Sequence, residues 1–195
     1  MIEATTTGSL TSLEQDEGVE RSRFLSILRR YIQARGEDHV NLGRVVNAYL
    51  KFSPNSNQLI NELISTCVDM KVSGRLDIAI DILSQLGKQI CRYANDFLIN
   101  DITNWGHRFP ERAYEPNDDY WFILLRSVAQ SSASATDRFG VVRKCGKATS
   151  RGVVEAVVES LGDIASEDAM TELKKYLVHE DPFIARLAAS ILESR

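Results

Sequence analysis

Four prolines in 195 residues leave few forced breaks, and Asn-Gly and Asp-Gly, the strongest short hairpin signals, are both missing. No run approaches the roughly 18 apolar residues that a membrane-spanning helix needs. The opening MIEATTTGSLTSLEQDEGVE lacks the basic n-region and apolar h-region of a signal peptide, so a cytoplasmic chain that avoids membranes is expected. An excess of positive charge is missing too. The chain holds 23 Lys and Arg against 27 Asp and Glu, with a pI near 5.5. That balance gives no global attraction to phosphate backbones or anionic lipid, and argues against nucleic acid as partner. Cysteine is scarce and odd in number. Cys67, Cys91 and Cys145 each stand alone inside an apolar helical pattern, which reads as buried free thiols in a reducing compartment.

Helical periodicity is what the chain has in abundance. Hydrophobic residues at 44% and charged residues at 26% are globular values, and the length suits one domain of ordinary size. Residues 1–18 are rich in Thr, Ser, Glu and Gly and read as a disordered leader. Phe24, Leu25, Ile27, Leu28, Tyr31 and Ile32 then follow i, i+3, i+4, i+7 spacing, with Gly36 placed as a stop. Further helices are expected from about His39 to Phe52, around Leu59 to Val68, over LDIAIDILSQLG with Gly87 as a stop or kink, and over QICRYANDFLINDITNW. Beyond them come WFILLRSVAQ, TDRFGVVRKCGKA, GVVEAVVESLGDI and two runs in SEDAMTELKKYLVHEDPFIARLAASILESR. The chain reads as all α.

One segment breaks the rhythm. NWGHRFPERAYEPNDDYW, from Asn104 to Trp121, holds two of the four prolines and both tryptophans. A loop of that length inside a helical domain is functional or an insertion. Trp, Tyr and Arg dominate interface hot spots, so Trp105, His107, Arg108, Phe109, Arg112, Tyr114 and Trp121 are candidate partner contacts. The same aromatics would equally serve as a plug between the helices on either side. The expected organisation is a leader (1–18), an N-terminal helical region (19–105), an aromatic loop (106–118) and helical repeats (119–195).

Self-similarity supports the last of these. With Asp181 laid over Ser150, Ile184, Ala188, Ala189 and Leu192 fall on Val153, Val157, Val158 and Leu161. In the same register, Met170, Leu173 and Tyr176 fall on Phe139, Val142 and Cys145. A further shift is poorer, because the position of Val157 receives Arg126. Two amphipathic helices per unit suit a stacked array, since one hairpin cannot bury its own apolar face.

LGDIASEDAMTELKKYLVHEDPFIARLAASIL resembles a HEAT repeat of the short, PBS-lyase-like kind, within the armadillo-type α-solenoids. The residues that carry the likeness are Leu161-Gly162, Glu167-Asp168, Ala169 with Leu173 and Leu177, Asp181-Pro182, Ile184, and Ala188-Ala189. Asp181 is placed to cap a helix that Pro182 opens. Ala185 stands where the family usually carries Arg, with Arg186 one place later, and Val154 takes that place in the preceding unit. The likeness covers about 150–195 well, is fair from 118 and generic before that. It implies a right-handed α-solenoid, with an N-terminal helical bundle or degenerate repeats. The segment from Ser166 to Arg195 would be the unit that caps it.

Motifs for chemistry are weak by comparison. GVVRKCGK, Gly140 to Lys147, has five residues between its glycines instead of the four of a phosphate loop. Ala148 follows its lysine, and no strand precedes it. His39, His107 and His179 have no partner at metal-ligand spacing. Asp77 and Asp81 share a helix face and read as a solvated stripe. Arg143, Lys144, Lys147, Lys174 and Lys175 recur on the second helices of the last two units. They offer either a weakly basic groove or a solvated face favoured by the helix dipole.

No pattern calls for a cofactor or a metal, and none sets an oligomeric state. The expected function is therefore non-enzymatic binding of another protein or a peptide along a helical surface. The family likeness also implies two alternatives: a bilin lyase or lyase subunit acting on phycobiliproteins, and a HEAT-like nucleic-acid binder.

Overall fold

The computed structural model describes Ser22, Ser26, Asn57, Ile60, Asn61, Ile64, Ser65 and residues 76–105, 118–146 and 150–195. The expected leader, the helix near 24–32 apart from Ser26, the helix near 39–52, and loop residues 106–117 lie outside the described residues. The chain divides into two units, Met1–Asp38 and His39–Arg195, and every helix named below belongs to the second.

Among the described residues the secondary structure is helical and holds no strand. Helix α1, Leu76–Ser84, carries LDIAIDILS, with Ile80, Leu83 and Ala79 buried and the two aspartates, Asp77 and Asp81, exposed. A turn ends it, with Gly87 in the left-handed region at φ 54°. Only glycine adopts that conformation without strain, which is why the helix stops where the sequence predicts. Helix α2 follows, Lys88–Trp105.

Helix α3, Asp118–Gln130, begins ahead of the Trp121 at which the sequence pattern starts. Asp118 and Asp119 occupy its first turn, where carboxylates meet the positive end of the helix dipole. The tail of the supposed loop is thereby drawn into the helix.

Helix α4, Ala135–Cys145, is capped by Ser134, whose hydroxyl accepts from the Asp137 amide at 3.1 Å. GVVRKC is the end of this helix, so no phosphate loop exists there. Helix α5, Arg151–Ile164, starts after Ser150. Helix α6, Glu167–Lys174, is capped by Ser166, which accepts from the Ala169 amide at 3.2 Å. A 3-10 turn, Lys175–Val178, continues it. Helix α7, Pro182–Glu193, opens on Pro182, and Asp181 accepts from the Phe183 amide at 2.8 Å. The Asp-Pro start expected from the sequence is thus present. The N-caps Ser134, Ser150, Ser166 and Asp181 recur at nearly even spacing along the chain.

Packing follows the same alternation. Helices α1, α3, α5 and α7 pack each against the next, and α2, α4 and α6 do likewise, while sequence neighbours from α2 onward also touch. Two layers result, with α3 and α5 central. Around α3, Tyr120, Trp121, Ile123, Leu124, Leu125 and Val128 are all buried. Around α5, the valines 153, 154, 157 and 158 are buried together with Leu161 and Ile164.

Between α4 and α6, burial respects the register that lays Asp181 over Ser150. Val142 and Cys145 are buried, as are their counterparts Leu173 and Tyr176. Leu177 departs from the expected core pattern and is 43% exposed. A 3-10 turn, Lys175–Val178, follows α6 there, with Tyr176 on its inward side and Leu177 outside.

Candidate functional site

Helices α3, α5 and α7 meet one another through polar contacts. Near the starts of the helices, the Ser150 hydroxyl donates to Asp118 at 2.6 Å instead of capping its own helix. One unit on, the Arg151 guanidinium lies 3.2 Å from Asp181 and stacks over the Phe183 ring at 4.6 Å. Asp181 therefore serves two ends at once, capping α7 with one oxygen and tying it to α5 with the other.

Toward the ends of the same helices, Arg126 on α3 reaches Glu159 at 2.7 Å and Asp163 at 3.2 Å, both on α5. Gln130 adds a bond to Asp163 at 3.0 Å, and the Arg195 guanidinium donates to the Gly162 carbonyl. Gly162 allows the approach of α7, because a Cβ there would stand 2.7 Å from the Ile191 methyl. Arg126, Glu159, Gly162, Asp163 and Arg195 border a shallow cleft of about 410 Å³, with Leu187 and Ile191 as its apolar side. Burial pushes the Glu159 carboxyl above its usual range, with Glu155 and Asp163 adding to the rise and Arg126 opposing it. The cleft holds a matched set of charges, so its chemistry is that of a brace between α3, α5 and α7.

The sequence-predicted contacts divide sharply. Trp121 is 3% exposed, on α3, and belongs to the core. Helix formation from Asp118 aims it inward, so Trp121 itself offers little surface to a partner. Trp105 ends α2. His107, Arg108, Phe109, Arg112, Tyr114 and Lys147 lie outside the described residues.

Arg143 and Lys144 close α4, and Lys174 and Lys175 close α6; all four are exposed. Lys144 donates to Asn95 at 2.7 Å, and Lys175 pairs with Glu172 at 2.7 Å. Neither Arg143 nor Lys174 pairs with a carboxylate among the described residues.

No family model matches this chain, and no curated protein or solved structure matches it. Function must therefore be read from its own side chains. Cys91 and Cys145 are buried free thiols. Burial pushes Cys145 up to about 12, against the opposing pull of Lys144, and also raises Cys91. Both are thus held as protonated apolar fillers, remote from the thiolate that nucleophilic chemistry requires.

No group of three or more His, Cys, Asp or Glu among the described residues gathers as metal ligands would. No helix of the described residues is long and apolar enough to cross a membrane.

A part-buried polar cluster escaped the sequence reading. The Tyr120 hydroxyl donates to Asn61 at 2.8 Å, and the Tyr93 hydroxyl, 3.3 Å from Asn61, has one proton for either Asn61 or the neighbouring Tyr120 oxygen. Spacing gives no hint of it, since its members are spread over three helical segments. Arg126 did leave a signal, as a cation in the register position of the apolar Val157.

Proposed function

We propose that this chain is a non-enzymatic protein–protein interaction module, a right-handed α-solenoid of HEAT-like helical pairs. It binds a partner protein or peptide along its repeat surface as an adaptor, assembly factor or regulator. The observation that carries this reading is the register of the inter-helix contacts. Asp118 meets Ser150, Arg126 meets Glu159 and Gln130 meets Asp163, each pair set almost the same distance apart along the chain. All three join α3 to α5, and Arg151–Asp181 and Arg195–Gly162 join α5 to α7 at a similar separation, as the units of a one-dimensional array would be joined.

Two further features support it. The N-caps recur evenly, two to each unit of that register, and α2, α4 and α6 line up as one layer beside α1, α3, α5 and α7. Such arrays present one surface composed from several helices, suited to an extended or folded polypeptide.

The test is affinity capture with the full chain as bait, followed by mass spectrometry. Stoichiometric recovery of one protein is expected with folded bait, and its loss with bait unfolded beforehand. Folded bait that recovers no stoichiometric protein overturns the proposal.

A further inference from the structure

The basic ends of α4 and α6 belong to helices that pack on each other, and two exposed apolar side chains follow the second of them. Arg143 and Lys174 occupy the same position in the repeat register, as do Lys144 and Lys175, and α4 packs on α6. Tyr176 fixes how the two ends meet. It is buried, and its hydroxyl stands 2.8 Å from where a Cβ on Gly146 would lie, at the cap of α4. A larger residue at 146 would push the two ends apart.

The 3-10 geometry of Lys175–Val178 then sorts its neighbours by face. At about three residues per turn, Lys175 stands in line with Val178, while Tyr176 takes the inward face. Leu177 follows Lys174 in the same way. Val178 is 88% exposed and Leu177 is 43% exposed. His179 stacks on Tyr176 with ring centroids 6.0 Å apart, and its Nδ1 accepts from the Asp181 amide at 3.0 Å. The turn is held at both ends.

Cations at helix C-termini are favoured by the dipole alone. The dipole gives no reason for two adjacent aliphatic side chains left in water beside them. We infer that this surface docks an acidic segment of a partner protein in which a Leu, Ile or Phe side chain stands next to carboxylates. The inference rests on the interaction-module reading and names its class of partner.

Arg143 and Lys174, free of carboxylates among the described residues, receive the partner's charges. Leu177 and Val178 receive its apolar side chain. A phosphate backbone fits less well. It carries about one charge per 1.7 Å of duplex, whereas two of these four cations are already engaged by Asn95 and Glu172. Single strands favour aromatic stacking platforms, and the exposed apolar side chains here are aliphatic.

The experiment selects phage-displayed random dodecapeptides on the full chain, then measures the labelled winning peptide by fluorescence anisotropy. Winners rich in Asp and Glu with an aliphatic or aromatic residue are expected. Their affinity should fall about tenfold for the Arg143→Gln/Lys174→Gln double variant and about threefold for Val178→Ser. It should also weaken as salt rises from about 50 to about 200 mM. All three positions are exposed, so circular dichroism should be unchanged.

The inference is overturned if no peptide is enriched, if winners lack an acidic excess, or if both variants bind as the wild type does. A short single-stranded DNA that binds as tightly as the winning peptide also overturns it, in favour of nucleic acid. Double-variant bait that still captures a stoichiometric partner sinks this surface but leaves the module reading standing. Wild-type bait that captures nothing sinks both.

Discussion

Helices α5 and α7 begin at Arg151 and Pro182 and place Val153, Val157 and Leu161 over Ile184, Ala188 and Leu192. Their fates differ. α5 is buried nearly all round, with Val153, Val154, Val157, Val158 and Leu161 in the core, whereas α7 buries only Ile184 and Ala188. The patterns are alike, but the neighbours are not. α5 packs against α3, α4, α6 and α7, while α7 packs against α5, α6 and the 3-10 turn. Burial in this molecule is therefore set by where a helix stands in the stack as much as by its own periodicity.

The largest test of that contrast is a matched pair of truncations. Leu161 is fully buried, and Leu161→Ala should cost about 2–5 kcal/mol of unfolding free energy, through lost transfer energy and the cavity left behind. Leu192→Ala, at the corresponding but half-buried place, should cost roughly 1 kcal/mol or less. Urea denaturation of both variants reads the difference, and equal losses would break the comparison.

Gly162→Ala comes next. The new methyl would meet Ile191 at 2.7 Å. The overpacking, about 1–3 kcal/mol, is set against a helix-propensity gain of about 1 kcal/mol, so a net loss near 1 kcal/mol is expected. In an Ile191→Ala background the clash disappears and the substitution should become neutral or favourable, which a double-mutant cycle measures directly.

Asp181→Ala should cost about 1 kcal/mol by removing a cap, and Asp181→Ser should recover most of it, since serine also caps. If Asp181→Ser recovered nothing, the tie to Arg151 would outweigh the cap.

The smallest effect is a pH dependence. The Cys145 thiol rises from 9.0 to about 12 on folding because burial disfavours its thiolate. The folded chain holds a proton that the unfolded chain gives up sooner. This contribution is fully present below about pH 9 and is lost as pH climbs toward 12. Thermal melts of Cys145→Ala, compared with the wild type, should show a shallower alkaline loss. An unchanged slope would assign that loss to other groups, Tyr176 among them, which is raised to about 12 by burial first and by the charges of Glu172 and Cys145.

Much of the fold was legible because its signals are local. Apolar residues at helical spacing, Gly87 as a stop, Asp181 as a cap, and Pro182 at the first helical position each act within a turn of the chain. The repeat register also anticipated which side of α6 is buried, through Leu173 and Tyr176.

What escaped depends on contacts across the stack. Trp121 looked like a loop aromatic because Pro110 and Pro116 stand close by, yet Asp118 and Asp119 start the helix early and carry it inward. Arg126 looked like a flaw in the repeat, and its reason lies on another helix, in Glu159 and Asp163. Leu177 belongs to the HEAT-like pattern, yet it stands in a 3-10 turn and is exposed.

The stacked account stands or falls most directly on native-state amide hydrogen exchange followed helix by helix. If neighbours set stability, amides of α3 and α5 exchange only through global unfolding, while those of α7 exchange through a smaller opening with measurably lower protection. Uniform protection across α3, α5 and α7, or higher protection in α7 than in α5, would contradict it.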